Sequence, residues 1–443
     1  MDRWILRLIL ILLYLHGRPL LADQPPRKAL MGMFGKPVTN GIRVDSIMPG
    51  FTAQALQLKK NDVILAINGH ETSTQDEFGK ASAALRAGDV VTMTYLRNEK
   101  RKITTARAVM RPYELSADVE IKYDWVKFGK GFLRAIVRKP KGTRKLPCVL
   151  LIPGYGCGSI ENYSKSYNGH LMQEWIRNGY AVVTVEKSGM GDSYDCVPCQ
   201  EADLATDIAS YDAAYTFMEN LDFVDRDRLF IWGHSMGGVV APEIARRHKP
   251  RGLMVFATVF RPWSEFLLEM HRIQKPLMEQ WSFEQTEHFV RKIQKVYYEF
   301  FVLKKSPEQL YQNPEYSEIV KNELEYKSGS TNMWGRHWRF WQQIDSLNLA
   351  ETWSHLNCPV LVLNGGSDYE QCAPLEPALI EATVNASHPG MAKRVEIKNL
   401  DHFMMVSADH REALKNFNEQ AYIKGNFNYQ LTDSIIKWLS TIP

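Results

Sequence analysis

Two kinds of apolar pattern divide the chain. From about Ala29 to Ala108, short alternating runs are separated by turn residues. Gly41 to Ile47 alternates as a half-buried strand does, Met48-Pro49-Gly50 makes a turn, and Ala53 to Leu58 reads as a short helix. Asp62 to Gly69 is a buried strand closed by an Asn-Gly turn. Thr74, with Glu77 three residues on, forms a capping box; Phe78, Ala81 and Leu85 then share one helical face, which Gly88 is expected to end. Val90 to Leu96 and Arg101 to Ala108 complete the set as strands. Polar residues 23–29, with Pro25 and Pro26, read as a linker in front of it.

From about Arg111 the pattern changes. Val119 to Phe128 and Phe132 to Val137 read as an antiparallel hairpin. Unbroken apolar runs then alternate with helical stretches: Cys148 to Ile152, Ala181 to Val185, Leu229 to Trp232, Leu253 to Ala257, Val360 to Leu363 and Arg394 to Ile397. Strands apolar on both faces imply a mostly parallel sheet covered by helices on both sides, an α/β class. Residues 261–353 interrupt this rhythm with helical spacing, no strand alternation and many aromatics, including Trp263, Phe266, Trp334 and Trp341. That insertion is expected to be a helical cap, its aromatics mostly core and a few lining an apolar pocket.

The first residues carry a different signal. Arg3 and Arg7 flank the start, Leu8 to Leu15 is apolar, and Gly17, Pro19 and Ala22 follow. Residues 1–22 therefore read as a signal peptide, placing the mature chain in a secreted or periplasmic setting. The run is too short to span a bilayer, and no later segment is long and apolar enough to be a transmembrane helix. The length of 443 residues, with 45% apolar and 23% charged side chains, allows two domains and a sizeable core. A net charge of +4, with bases interleaved among acids, offers no stripe for nucleic acid. Export permits disulfides. Cys196-x-x-Cys199 lacks a second pair and a histidine at finger spacing, so a disulfide from Cys157 to one of these two is preferred over zinc or redox chemistry. Cys148 lies in a strand-like run and is expected to be simply buried.

The residues that carry chemistry sit at strand ends. Gly233-His234-Ser235-Met236-Gly237 follows one strand and precedes the helix Val239 to Arg247, the strand–turn–helix setting of a nucleophile elbow. A serine hydroxyl needs a base, and the base needs a carboxylate to orient it. Asp368 ends the Gly-rich loop after Val360 to Leu363, and His402 follows Arg394 to Leu400, so both fall on the elbow's side of the sheet in the order Ser, Asp, His. Asp401 is the rival acid, but an immediate neighbour cannot easily reach Nδ1 of His402. His388 and His410 lack a preceding strand, and His234 lies inside the elbow. The oxyanion donors expected are the N–H groups of Met236, which follows the nucleophile, and of Tyr155 in Pro153-Gly154-Tyr155-Gly156-Cys157-Gly158, with Gly156 as the alternative. No metal cluster, phosphate loop or dinucleotide fingerprint is present, so no cofactor is expected.

Two resemblances follow. Residues 29–110, through "NDVILAING" after an "MPG" turn and a short helix, resemble a PDZ domain as found in bacterial proteases. That resemblance implies a small α+β unit. Its loop Gly32, Met33, Phe34 and Gly35 would turn N–H groups toward a peptide's terminal carboxylate, and the peptide would add to the sheet edge. Residues 115–443, through "VDRDRLFIWGHSMGG", "EKSGMGDS" and "GGSD…LDH", resemble the α/β-hydrolase superfamily, nearest to secreted esterases and to dienelactone-hydrolase-like or serine-aminopeptidase-like members. The expected architecture is thus an α/β-hydrolase sheet with a helical cap at about 261–353, preceded by the PDZ-like unit. The expected activity is hydrolysis of carboxylic esters through an acyl-enzyme on Ser235. The alternatives are a serine peptidase or aminopeptidase with the same triad, for which Glu265, Glu269 and Glu279 are candidate acids for a free amine, and a peptide-binding adaptor, against which the intact triad argues.

Overall fold

The computed structural model describes residues 25–142, 145–162, 166–419 and 426–442, so the expected signal peptide over 1–22 lies outside the described residues. The chain parts into two compact units between Tyr113 and Glu114.

The first unit is an antiparallel sheet with one longer helix. Its strands are β1 (Met33–Val38), β2 (Gly41–Ile47), β3 (Val63–Ile67), β4 (His70–Glu71), β5 (Val90–Arg97) and β6 (Lys100–Arg107), in the order β1-β2-β3-β5-β6 with β4 against β3. Ile42, Val44, Ile64, Val91 and Met93 alternate inward and are fully buried, which is why the period-2 pattern is legible here. Thr74 makes the capping box with Glu77 and starts the helix Gln75–Ala83. The helix stops at Ala83 rather than running to Gly88. Leu85 is buried from the segment beyond it, and Gly88, at φ +90°, serves the turn into β5. The expected carboxylate loop is also shorter than its motif suggests. Gly32, at φ +70°, belongs to the loop, whereas Met33, Phe34 and Gly35 already lie in the edge strand β1, which bulges between Phe34 and Gly35.

The second unit opens with the antiparallel hairpin β7 (Val119–Phe128) and β8 (Gly131–Pro140). Then come β9 (Leu146–Ile152), β10 (Ala181–Val185), β11 (Val224–His234) and β12 (Gly252–Phe256). After a small hairpin of β13 (Asn332–Met333) and β14 (Arg336–His337) follow β15 (Val360–Gly365) and β16 (Ala392–Ile397). The main sheet has eight strands in the order β16-β15-β12-β11-β9-β10-β8-β7, parallel from β16 to β10. Successive side chains alternate between two cores. Leu150, Ile231, Val255 and Val362 join one, and Leu151, Trp232, Met254 and Leu361 the other. A strand sandwiched in this way has no polar face, which explains the unbroken apolar runs.

Between β12 and β15 the chain is helical, with segments Trp263–Glu279, Phe283–Tyr297, Pro307–Tyr311, Ser317–Asn322, Trp338–Asp345 and Leu349–Ser354. The β13–β14 hairpin is the departure from the helical expectation: two residues per strand carry no alternation to read. Phe300, Phe340, Trp341 and Trp353 form the insertion's buried aromatic core. Cys157 pairs with Cys199, while Cys148 is buried and reduced. No helix among the described residues is long and apolar enough to cross a membrane.

Candidate active site

The elbow is a matter of close approach. β11 ends at His234, the helix Gly237–His248 starts three residues later, and Ser235 between them has φ +55°. That left-handed conformation is uncommon for a residue with a side chain and is held by its surroundings. The Ser235 N–H donates to the Phe256 carbonyl at 2.9 Å, and its own carbonyl accepts from Gly238 N–H at 2.8 Å. A Cβ on Gly233 would lie 2.6 Å from the Gly237 carbonyl oxygen, and one on Gly237 would lie 2.2 Å from that of Ile152. Both positions therefore exclude any side chain, and the motif is a steric requirement.

β15 and β16 deliver the two partners. Nδ1 of His402 is 3.1 Å from Oδ1 and 3.0 Å from Oδ2 of Asp368. Asp368 is fully buried, and its Oδ1 also accepts the N–H groups of Glu370 and Gln371 at 2.9 and 2.8 Å, which fix its orientation. Burial works against a charge on His402. The Asp368 charge and hydrogen bond, with help from Glu370 and Asp401, outweigh it and hold the imidazole above its ordinary 6.5. Asp401 is occupied elsewhere: it accepts from Phe403 and Met405 N–H and from the Ser407 hydroxyl, tying its own loop. His388 and His410 cap and open surface helices instead.

His234 does more than occupy the elbow. Its Nε2 is 2.9 Å from the His402 carbonyl, and its ring stacks on Phe256. Burial, then the neighbouring His402 charge, push it well below the usual histidine range. Its Nδ1 has no partner among the described residues, so the neutral form with hydrogen on Nε2 suits the site, and that N–H donates to His402. The residue before Ser235 thus braces the backbone of His402.

Tyr155, Ser235, Met236 and His402 line one pocket, open to solvent, with about 820 Å³ of empty volume. The insertion supplies Trp263, Phe266, Leu267, Met270, Trp334 and Trp341 to its apolar wall, and Met236, Ala257 and Val259 complete it from beside the sheet. Its acids are not those expected. Glu269 pairs with Arg261, Glu279 pairs with Lys275, and neither they nor Glu265 line the pocket. Glu325 and Glu370 do. Both also bear on the phenol of Tyr155, whose pKa rises through burial first and then through these two charges. No motif marks either glutamate; the only local signal is that Glu370 stands two residues after Asp368. Of the oxyanion candidates, Met236 heads the helix Gly237–His248, and Gly154 beside Tyr155 lies against the nucleophile: a Cβ there would be 3.4 Å from Ser235 Cβ. In the first unit, Phe34 projects from β1 and is 63% exposed.

Comparison with known proteins bears on both units. Residues 146–382 match the family model described as serine aminopeptidase, S33, and residues 29–106 match that of the PDZ domain. Esterase EstD of Thermotoga maritima is 19% identical over 318 residues, which are 68% of this chain and 63% of EstD. Among solved structures, Est1E from Butyrivibrio proteoclasticus with bound ferulic acid is 15% identical with a TM-score of 0.43, over 68% of this chain and 98% of that one. An acylaminoacyl peptidase from Pyrococcus horikoshii is 13% identical with a TM-score of 0.42, over 75% of this chain and 46% of that one.

Proposed function

Because the chain belongs to the serine aminopeptidase S33 family of α/β-hydrolases, we propose that it cleaves carboxylic esters through an acyl-enzyme on Ser235. In this reading Ser235 attacks the carbonyl carbon, and His402 takes the hydroxyl proton and returns it to the leaving alcohol. Asp368 holds the imidazole in the tautomer that leaves Nε2 free to accept. The amides of Met236 and Tyr155 receive the oxyanion. The observation that carries the proposal is the Asp368–His402 pair at 3.0 Å, opening into the same pocket as a serine at φ +55°. EstD, an esterase, is similar over most of this chain, and the predominantly apolar wall suits an acyl or aryl group.

The second reading, an amine-bearing substrate such as an amino-terminal residue, is favoured by Glu325 and Glu370, two carboxylates on the pocket wall with no lysine or arginine among the lining residues. Purified protein and Ser235→Ala assayed side by side on short p-nitrophenyl esters and on aminoacyl p-nitroanilides separate the readings. Ester turnover lost in the variant supports the first; anilide turnover alone supports the second. Turnover that survives in Ser235→Ala refutes the nucleophile. Glu325→Gln and Glu370→Gln should lower turnover of a cationic substrate far more than that of a neutral ester.

The Cys157–Cys199 disulfide supports a secreted protein. For the first unit, the open edge of β1 with Phe34 beside it supports capture of peptide C-termini as an added strand.

A further inference from the structure

Three charged side chains absent from the scheme above are buried beside it. Lys187 follows β10, Asp207 lies in the helix Leu204–Glu219, and Arg336 is the first residue of β14 in the insertion. Their exposures are 4%, 2% and 0%. Arg336 makes two 3.0 Å hydrogen bonds to the Asp207 carboxylate, and Lys187 Nζ stands 3.5 Å from the same carboxylate. One carboxylate neutralises only one of the two cations, and fully buried ions are costly and rarely justified by stability alone. What the cations reach for is more informative. Lys187 Nζ donates to the Gly154 carbonyl at 2.5 Å, and Arg336 Nη1 donates to the Tyr155 carbonyl at 2.8 Å. These are two consecutive peptides of the loop that lies against Ser235.

A trans peptide directs its C=O and its N–H to opposite sides. Fixing the Gly154 carbonyl on Lys187 therefore fixes the Tyr155 N–H facing away from Lys187. Fixing the Tyr155 carbonyl on Arg336 does the same for the Gly156 N–H. These are the loop's two candidate oxyanion donors. The loop is tied once more nearby, where Cys157 is bonded to Cys199, and Arg336 itself is held by a further bond, to the Ala202 carbonyl at 3.2 Å.

We propose that Lys187, Asp207 and Arg336 are positioning residues that preset the oxyanion-binding amides of the Gly154–Gly156 loop. Arg336 makes the cap a party to this. The same hairpin that presents Trp334 to the substrate pocket holds the Tyr155 carbonyl through Arg336. The inference rests on Ser235 acting as nucleophile.

The test is kinetic. Lys187→Met and Arg336→Met are assayed on a p-nitrophenyl ester with thermal melting as the check of folding. A misplaced donor costs about 10²-fold, so kcat should fall by that order with KM unchanged. The affinity for an alkylboronic acid, which forms a tetrahedral adduct on the serine and places an oxygen in the hole, should fall in step with kcat. Binding of the matching ether, which forms no adduct, should not change. Where Lys187→Met fails to fold, Arg336→Ala supplemented with methylguanidinium decides, because restored turnover requires the donor rather than the fold. Wild-type kcat and boronate affinity in a folded variant would overturn the proposal. So would equal weakening of boronate and ether, or Arg336→Ala with no rescue. Ser235→Ala that keeps turnover would instead sink the nucleophile assignment, whatever the Lys187 variants do.

Discussion

Asp368→Asn puts the orientation of His402 to the sharpest test. The carboxylate accepts three N–H groups: Nδ1–H of His402, and the backbone amides of Glu370 and Gln371, both of which meet Oδ1. An asparagine has one acceptor oxygen. The two backbone donors are fixed, so the oxygen stays with them and the NH₂ turns to His402 Nδ1. An NH₂ cannot accept from Nδ1–H; it donates to a bare Nδ1, which moves the ring hydrogen to Nε2. The base then has no lone pair for the Ser235 proton. A triad with the wrong tautomer loses about 10⁴ in kcat, roughly 5 kcal/mol of barrier. The backbone bonds survive, so thermal stability should change little. The assay is kcat on a p-nitrophenyl ester at pH 7.5, paired with a thermal melt. A folded Asp368→Asn within tenfold of wild type at that pH would refute the reasoning and reopen the question of the acid.

Other expectations follow from neighbouring features. Activity should fall on the acid side as His402 takes a proton, and because Asp368 raises that pKa, the acid limb of kcat/KM should lie above pH 6.5. Burial raises the Glu186 carboxyl from 4.5 to about 7, so the native state holds a proton that the unfolded chain gives up. Its contribution to stability is full below pH 4.5 and lost as pH rises through about 7. Denaturant midpoints of Glu186→Gln should lack that decline, and an identical pH dependence in both proteins would refute it. The Cys157–Cys199 bond spans 42 residues, and loop-closure entropy for that length is about 4 kcal/mol, so the double serine variant should melt far lower unless the entropic account fails here.

Legibility followed periodicity and close approach. The eight-stranded sheet was readable because each strand buries both faces, leaving runs such as Cys148 to Ile152 that no surface helix would carry. The elbow was readable because Gly233 and Gly237 have no room for a Cβ, which leaves a mark in the sequence itself. That Asp368 and His402 meet was readable from their places after β15 and β16. Glu325, Glu370, Lys187, Asp207 and Arg336 were not. They come from five separate segments; Glu325 meets Glu370 at one pocket, and Lys187 and Arg336 meet at Asp207, in groupings that have no spacing in the chain. The end of the helix Gln75–Ala83 was misplaced for a related reason: Leu85 continues the apolar face by count, but the backbone has already left the helix when it is buried.

The positions of these groups separate chemistry from selection, with one exception. Ser235, Asp368 and His402 hang from the ends of β11, β15 and β16, whose registers are fixed by two cores. His234 fastens the end of β11 to the backbone of His402. The wall of Trp263, Trp334 and Trp341 belongs to the insertion, where Trp263 stacks on Trp341. A substitution in that wall should change what is bound and leave the reacting groups in place. Arg336 crosses the boundary. It is packed over Phe340 within the insertion and grips a carbonyl of the loop beside Ser235. Movement of the β13–β14 hairpin therefore reaches the loop that would receive the oxyanion. In the proposed mechanism, this one side chain would make the fit of a substrate against Trp334 and the stabilisation of its transition state the same event.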